Sequence, residues 1–448
     1  MKQELNLRDL AWPIFVENFL TKALSMVNIY LLSSYSQEAV AAVGFSNQLV
    51  SFINMLFFFI TLGTAVVVSQ NLGAEKEEQA ASAVGTAVKM NISLGLILGL
   101  AVFLFHRPFL SLMGLTGQAL EYTIRYFSII GGLYGLQGLN LLLAAIMRNY
   151  GQAKAPMMVF LGINIFNVLG NTIIITRPFG MADLGLGGIA AWTAFSQACG
   201  SVAMVLCALR FGIPLGLHTG FSLKMAGEIL RVGIPGGGDN FAYSFAQVCL
   251  TYFVTSLGTT ALTAFTYATS LIAFVQILGY SVGQSAQILV GRHVGAGNFN
   301  AAYRLGFRAT WIAMGLNLSV MAVLMIFQRP ILRLFTYSEE VLAIIFWCFL
   351  VDLVLEFGRP FNLVIGVCVR GSGDVKWSIA ASSVSILLVL IPLGYVFTQV
   401  IPLGVPGAFV ALLADEWLRG QLMTMRWRSR KWEKAALVKP VAADGAEA

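Results

Sequence analysis

The stretch Pro13-Ile-Phe-Val-Glu17-Asn18-Phe19 returns later in the chain as Pro235-Gly-Gly-Gly-Asp239-Asn240-Phe241. The proline, the acidic residue, the asparagine and the phenylalanine keep their spacing, and 235 − 13 = 222. The same shift carries further residues onto like residues: Gly73-Ala74 onto Gly295-Ala296, Arg107-Pro108 onto Arg329-Pro330, Asn140 onto Asn362, and Arg148 onto Arg370. A constant offset that matches Pro, Gly, Asn and Arg indicates that the chain contains two copies of one structural unit.

Composition places both copies in a membrane. Of the 448 residues, 58% are hydrophobic and 11% are charged, a balance that a water-soluble fold could not cover with polar surface. Apolar stretches of about 20 residues, the length of helix that crosses a bilayer, recur along the chain. We expect twelve helices, at residues 10–33, 44–70, 83–105, 121–147, 156–176, 186–209, 233–256, 262–291, 305–327, 341–369, 378–400 and 405–425.

The repeat divides these helices into two pseudo-symmetric six-helix lobes of an all-α membrane protein. Each copy has an even number of spans, so both copies point the same way in the membrane. Near the sixth span the offset falls to 219, which implies three additional residues in the loop 176–183. We expect an N-terminal lobe at 1–210, a cytoplasmic linker at 211–231, a C-terminal lobe at 232–426 and a cytoplasmic tail at 427–448.

The basic residues agree with this topology. They give a net charge of +7 but are spread over short loops without a basic patch interleaved with aromatics, so nucleic acid is not an expected partner. With a cytoplasmic N-terminus, Lys and Arg are roughly fourfold more frequent on the inner side, as the positive-inside rule requires. We therefore expect a multi-pass protein of the bacterial plasma membrane with both termini cytoplasmic.

The cysteines and histidines show no pattern of a metal or redox site. All five cysteines fall within predicted spans without paired spacing, and the three histidines share no spacing. We expect no metal, no cofactor and a monomer in the lipid bilayer.

Polar residues form a stripe along the first span and along its repeat, the seventh. Because a charge near the bilayer centre is expensive, such residues are candidates for a functional site. The candidates from these two spans are Glu17, Asn18, Lys22, Asn28, Asp239 and Asn240. Glu17 and Asp239 each follow a helix proline by four residues, and the pattern leaves open whether they bind a cation or substrate, or form structural hydrogen bonds near the cytoplasmic end.

Lys22 breaks the symmetry, because Ser244 occupies the matching position of the second copy. Either Lys22 supplies a tethered positive charge, pairing with Glu17 on a nearby turn, or its side chain extends to the cytoplasmic interface. Both interpretations remain open.

The tenth span carries the densest group of charges. Asp352, Glu356 and Arg359 have the spacing i, i+4, i+7, which places them on one helix face, and Asn362 continues that face. Asp415 and Arg419 are one turn apart in the last span and are candidates to join the group. A glutamate–arginine pair in this setting is either a static clamp or a latch in which Glu356 exchanges Arg359 for a proton.

These motifs resemble the multidrug and toxic compound extrusion (MATE) family over essentially the whole chain. The resemblance rests on the Gly-Ala loop after the second span of each copy, on Glu356-Phe-Gly-Arg359-Pro-Phe-Asn362, on Arg370-Gly-Ser-Gly373-Asp374, and on Asp415-Glu416-Trp417-x-Arg419. It implies a MATE-like twelve-helix fold and an antiporter in which H⁺ or Na⁺ enters while a small organic, often cationic, compound leaves. The two lobes would alternate around a central cavity. Asn140 and Asn362, which the repeat matches, are further candidates for binding a cation or the substrate.

Three positions of this sequence depart from the family pattern. Prokaryotic members often carry an acid fifteen residues after the first-span proline and an Asn-x-x-x-Asp in the fifth span, whereas this chain has Asn28, Asn167 and Asn171 there. An amide neither takes up a proton nor supplies the negative charge that a desolvated Na⁺ requires. We therefore expect cation coupling to rely on Glu17 and on the carboxylates of the C-terminal lobe.

Two other classes of membrane protein share a many-helix architecture. A flippase for lipid-linked oligosaccharides, of a related exporter fold, predicts a cavity dominated by Arg and Lys, but here the intramembrane acids match or exceed the bases. An intramembrane enzyme requires a positioned His, a Ser–Lys pair, paired Asp residues or a metal, whereas the only convincing cluster in this sequence combines acids with Arg and Asn. The sequence therefore favours export of a small molecule without catalysis, and leaves the substrate and the choice between H⁺ and Na⁺ open.

Overall fold

The computed structural model describes residues 5–33, 37–112, 117–177, 184–216, 220–401 and 403–438. These residues form helices joined by short turns, and positions 178–183 of the predicted three-residue insertion lie outside them. The helices are α1 Leu7–Ser33, α2 Gln37–Gly73, α3 Glu77–Leu112, α4 Gly117–Gly132, α5 Tyr134–Asn149, α6 Lys154–Thr176, α7 Gly185–Arg210, α8 Leu223–Thr255, α9 Thr259–Gly295, α10 Phe299–Ile326, α11 Gln328–Leu332, α12 Glu339–Leu355, α13 Phe361–Gly371, α14 Val375–Val400 and α15 Val405–Arg428.

Each of the twelve predicted spans falls, to within one residue, inside a helix or helix pair, although several helices are longer than predicted and α8 begins ten residues before the predicted start at 233. The pair α4–α5 forms the fourth span, the pair α12–α13 forms the tenth, and the five-residue α11 is a connection. The predicted fold class, an all-α membrane protein of twelve spanning helices in two lobes, is confirmed.

Polarity distinguishes four of the spans from the others. Within the described residues, eight helices or helix pairs are long and apolar enough to cross a membrane on length and composition alone. The remaining four spans are α1, α8, the α12–α13 pair and α15. These four spans carry the charged candidate residues. The same charged side chains therefore lower the hydropathy of these spans and form the candidate site.

The fourth span of each copy is interrupted, and the two interruptions lie at equivalent positions. The first copy breaks at Leu133 between α4 and α5, and the second copy ends α12 at Leu355, which is Leu133 shifted by 222 residues. In the second copy, Glu356 and Arg359 occupy the break before α13 begins at Phe361. At this break the backbone N–H groups of Phe357, Gly358 and Phe361 donate to the carbonyl three residues earlier, so the backbone stays hydrogen-bonded through a tighter turn.

Contacts between residues divide the chain into two compact units. The C-unit contains Met1–Phe15, Ser69–Lys76 and Pro235–Ala448, and the N-unit contains Val16–Val68 and Glu77–Ile234. The core of the C-unit includes Phe265, Phe349 and Phe409, all buried. The core of the N-unit includes Ile189 and Tyr126 in one cluster and Phe127 in another.

The segment after α15 packs onto the C-unit as far as it is described. Trp432, in a 3₁₀ turn at Lys431–Ala435, stacks on Trp427 with ring centroids 4.2 Å apart, and both indoles are fully buried. The backbone N–H of Leu437 donates to Oε1 of Gln70 at 2.9 Å. Residues 427–438, which the sequence assigned to the tail, are therefore part of the packed structure, and 439–448 lie outside the described residues.

Candidate functional site

An ion pair connects the first span of the N-unit to the end of its fourth span. Glu17 in α1 accepts a hydrogen bond through Oε1 from Nη2 of Arg148 in the last turn of α5. Both side chains are largely buried, which strengthens the electrostatic attraction but makes each charge dependent on the other.

The C-unit repeats this pair at the equivalent positions. Nη1 of Arg370 donates to Oδ2 of Asp239 at 2.9 Å and to Oγ of Ser378 at 3.2 Å. In both units 131 residues separate acid from arginine, and each arginine precedes by three residues a glycine with positive φ, Gly151 at 85° and Gly373 at 99°. The duplicated unit has therefore kept an acid–arginine pair together with the turn that positions it.

The ion pair of Glu17 settles one question left open by the sequence. The partner of Glu17 is Arg148, and the side chain of Lys22 is exposed, so the hypothesised pair between Lys22 and Glu17 is not formed. Oε2 of Glu17 and Oδ1 of Asp239 are buried without a hydrogen-bond partner among the described residues. Each pair is formally neutral but retains one free acceptor atom.

The three asparagines that replace the family's acids form an amide network in the N-unit. Nδ2 of Asn28 donates to Oδ1 of Asn167 at 3.1 Å, and Nδ2 of Asn171 donates to Oδ1 of Asn28 and to Oδ1 of Asn167, both at 3.2 Å. Nδ2 of Asn167 donates in turn to Oγ1 of Thr193 at 2.9 Å. These are all neutral hydrogen bonds, so the network holds α1, α6 and α7 together without a formal charge.

The second copy has no such network, because its equivalent positions are apolar. They are Leu250, Val389 and Leu393 at the offset of 222, and Leu412 at the offset of 219. The amide network is therefore specific to the N-unit and is not one of the features that the two copies share.

A charged triad lies at the end of α12 and in the following break of the tenth span. Nη2 of Arg359 donates to Oδ1 of Asp352 at 2.8 Å, and Nη1 of Arg359 bonds to Oε1 of Glu356. Nδ2 of Asn317 in α10 donates to Oε2 of Glu356 at 2.9 Å. Oδ2 of Asp352 is buried without a partner among the described residues, so one carboxylate oxygen of this triad is left to accept a proton or a cation.

A second charged triad lies on α15, close enough to the first for electrostatic interaction. Nη2 of Arg419 donates to Oε1 of Glu416 at 3.0 Å and bonds to Oδ2 of Asp415. Asp415 accepts from Oγ of Ser385 at 2.7 Å, and Glu416 accepts from Nδ2 of Asn362 at 2.7 Å. Glu416 interacts electrostatically with both Asp352 and Arg359 of the first triad.

We name the two triads together the C-unit acid cluster. It consists of Asp352, Glu356, Arg359, Asp415, Glu416 and Arg419, all between 0% and 4% exposed. Four carboxylates face two guanidinium groups, so the cluster has two acids in excess. Tyr243 of α8 lies beside it, with its ring 5.5 Å from the guanidinium carbon of Arg419. A buried group of charges with unequal signs favours uptake of a positive charge.

The N-unit counterpart of the acid cluster is neutral. The equivalent positions are Ile130, Tyr134, Gln137, Ser196, Gln197 and Gly200. One hydrogen bond is nevertheless shared: Asn140 donates to Oε1 of Gln197 at 3.0 Å, as Asn362 donates to Glu416. Both copies therefore form this hydrogen bond at equivalent positions, but only in the C-unit is the acceptor a carboxylate.

The structure brings most of the candidate residues into one of these four groups. Asn362 donates to Glu416 of the acid cluster, and Asn140 makes the matching bond to Gln197 in the N-unit. The remaining candidates are Asn18, which is half-buried, and Asn240 and Lys22, which are exposed. The sequence did not single out Arg148, Arg370, Asn317 and Glu416 as site residues. The signal for the two arginines was present, because the shift of 222 residues moves both members of the Glu17–Arg148 pair onto the Asp239–Arg370 pair.

Similar proteins point to one family. The sequence profile of the MatE family matches residues 13–173 and 235–396, two blocks that begin at the repeated prolines. The chain is 33% identical over 430 residues to the "Uncharacterized transporter YisQ" of Bacillus subtilis, which covers 95% of this chain and 94% of that protein. It is 25% identical over 438 residues to the "Probable multidrug resistance protein NorM" of Thermotoga maritima, covering 96% and 93%.

Solved structures show the same fold. A MATE crystallised in complex with MaL6 superposes with a TM-score of 0.87 at 20% sequence identity, covering 95% of each chain. An outward-facing multidrug resistance MATE family transporter of the MOP superfamily superposes with a TM-score of 0.84, also at 20% identity and over 95% of each chain.

Proposed function

Since this chain belongs to the MatE family of membrane transporters, we propose that it exports small organic compounds by antiport with H⁺ or Na⁺, using the C-unit acid cluster to bind the coupling cation. The relatives include proteins described as probable multidrug resistance proteins, which supports export of varied compounds. We propose that these compounds are often cationic and amphipathic. We further propose the predicted orientation with both termini cytoplasmic, alternating access of the two predicted lobes, and a monomer.

The observation that carries the proposal is the charge imbalance of the C-unit acid cluster. Two arginines neutralise two of four buried carboxylates, and the remaining negative charge is unfavourable in a low-dielectric surrounding unless a cation binds. Because one oxygen of Asp352 is buried and unpartnered among the described residues, Asp352 is the group best placed to receive that cation. A cation that neutralises the cluster changes its internal repulsion, which is the property needed to couple ion binding to a conformational change.

The other polar groups are less suited to this task. The two acid–arginine pairs are each neutral, and the amide network of the N-unit carries no charge. Hydrogen bonding without charge provides neither proton uptake nor a strong attraction for Na⁺. We therefore assign the acid–arginine pairs and the amide network to positioning helices and contacting substrate, and the coupling to the C-unit.

Transport by purified protein in proteoliposomes tests the proposal. A fluorescent organic cation serves as substrate, and a proton gradient and a sodium gradient are imposed separately at clamped membrane potential. We expect accumulation against the concentration gradient of the substrate under one of the two ion gradients. Accumulation that depends on neither gradient, with several substrates tested, would show that the chain is not a cation antiporter.

A further inference from the structure

A groove in the C-unit combines a basic end with apolar walls. It has a volume of about 1050 Å³ and is formed by the beginning of α1, the second half of α9 and the first half of α10. All residues that line it belong to the C-unit. It is separate from the acid cluster, since none of the six cluster residues lines it.

The basic end of the groove carries two arginines and a histidine from three helices. Arg8 lies in the first turn of α1, His293 in the last turn of α9, and Arg308 in the early part of α10. The turn at 296–298 joins α9 to α10, so His293 and Arg308 both lie in the half of this helix pair next to the turn. Arg8 and Arg308 are exposed, and Asp9 is the single acid that lines the groove.

The walls away from this end are apolar. Leu278, Ile312 and Leu316 line the groove there. The fifteen residues from His293 to Leu278 correspond to about 22 Å of helix, which exceeds the half-thickness of about 15 Å of a bilayer's hydrocarbon core. Trp12, 62% exposed, stands beside the basic end, the position that tryptophan favours at a membrane interface. The groove therefore combines a basic end with a largely apolar wall longer than half of the hydrocarbon core.

The internal repeat provides a comparison groove in the N-unit. This second groove has a volume of about 500 Å³ and is formed by α2, α3 and the beginning of α8. Seven of its ten lining residues are equivalent, at the offset of 222, to residues that line the C-unit groove. The two arginines are not retained: Leu230 is equivalent to Arg8, and Thr86, which is equivalent to Arg308, does not line the N-unit groove. None of its lining residues is charged. The basic end is thus specific to the C-unit groove, whereas the apolar wall belongs to the shared fold.

We propose that the C-unit groove binds an anionic phospholipid, with the headgroup phosphate held by Arg8 and Arg308 and an acyl chain lying along Leu278, Ile312 and Leu316. Guanidinium groups form strong charge-assisted hydrogen bonds with phosphate. Basic pockets between membrane helices select anionic headgroups over zwitterionic ones. The N-unit groove, lacking these cations, accepts acyl chains without selecting the headgroup.

Native mass spectrometry of the detergent-solubilised full-length protein tests this proposal without measuring transport. Dioleoyl phosphatidylglycerol and dioleoyl phosphatidylcholine are titrated separately against wild type and the variant Arg8→Gln/Arg308→Gln. We expect the variant to bind phosphatidylglycerol about thirtyfold more weakly, because two juxtamembrane cations are removed, and to bind phosphatidylcholine unchanged. The variant Arg210→Gln/Lys224→Gln removes two exposed cations of the N-unit and should bind both lipids as wild type does.

A second pair of variants examines the apolar wall. Ile312→Trp fills the C-unit groove, and Met90→Trp fills the N-unit groove at the repeat-equivalent position. Loss of selective phosphatidylglycerol binding in Ile312→Trp but not in Met90→Trp supports the proposal. Equal affinity of wild type and Arg8→Gln/Arg308→Gln, or an equal loss in Arg210→Gln/Lys224→Gln, would overturn it. Displacement of phosphatidylglycerol by inorganic phosphate, with Ile312→Trp binding normally, would show a free-anion site and also contradict it.

Discussion

At the scale of single residues, comparison of the two copies distinguishes charged residues that stabilise the fold from charged residues with a different role. Glu17 and Asp239 each face one arginine, and both pairs recur with the repeat, as expected of bonds that hold the fold. Asp352 has no acidic counterpart, since Ile130 occupies the equivalent position. A buried charge present in one copy only is not required by the shared fold, and this favours a role in coupling.

Replacing Arg148 by glutamine leaves Glu17 buried without its cation. Breaking a buried pair by removing one partner destabilises a protein by about 3 kcal/mol, so we expect a clearly lower temperature of unfolding in detergent. The double variant Glu17→Gln/Arg148→Gln removes both charges and should recover most of that loss. Arg370→Gln should behave as Arg148→Gln does, and a double variant as unstable as the single one would contradict a stabilising ion pair. Arg304→Gln, which removes an exposed cation, is the control.

Replacing Asn167 by alanine tests the structural assignment of the amide network. The change leaves the donors of Asn28 and Asn171 without their shared acceptor, which costs about 1–3 kcal/mol. We expect a lower unfolding temperature with an unaltered requirement for the ion gradient in proteoliposomes. If Asn167→Ala abolished gradient-driven transport at normal stability, coupling would reside in the N-unit.

At the scale of helices, close packing at glycines determines how α2 meets its neighbours. Within the C-unit, a Cβ on Gly73 would overlap the carbonyl of Arg292, and a Cβ on Gly295 would overlap the carbonyl of Gln70. Gly73 is equivalent to Gly295, and Gln70 to Arg292, at the offset of 222. The ends of α2 and α9 therefore touch through reciprocal backbone contacts that only glycine permits.

Valine at position 73 should separate these two helix ends. We expect Gly73→Val to lower the unfolding temperature and the transport rate, and Gly295→Val to do the same. Gly44→Val is a matched control on the same helix, because no atom lies within 4 Å of a Cβ built there. Equal effects of the substitutions at 44 and 73 would show that helix propensity, rather than the close contact, is responsible.

Helix positions followed from the sequence because apolar length and the repeat register are local or periodic signals. The spacing of Asp352, Glu356 and Arg359 likewise predicted one helix face, and they do meet, although the helix ends at Leu355. Partners on other helices were harder to predict. Asn317 and Arg148 reach the site from distant spans through tertiary packing, which spacing along one helix does not encode.

At the scale of the whole molecule, duplication has given two copies that share a scaffold and differ in charge. The copies share the spans, the break in the fourth span, the acid–arginine pair and a groove beside α2 or α9. The N-unit has added neutral amides, and the C-unit has added the acid cluster and a basic groove end. This division predicts that ion coupling and anionic lipid binding both depend on the C-unit, through separate residues.

The most direct measurement compares uphill with downhill transport by Asp352→Asn in proteoliposomes. Removing one excess acid should abolish substrate accumulation driven by the ion gradient, while exchange of substrate down its own gradient continues, because the binding of the ion and not the substrate pathway is lost. Glu339→Gln removes an exposed acid from the same helix and should accumulate substrate as wild type does. Undiminished ion-driven accumulation by Asp352→Asn would contradict the assignment of coupling to Asp352 in the C-unit acid cluster.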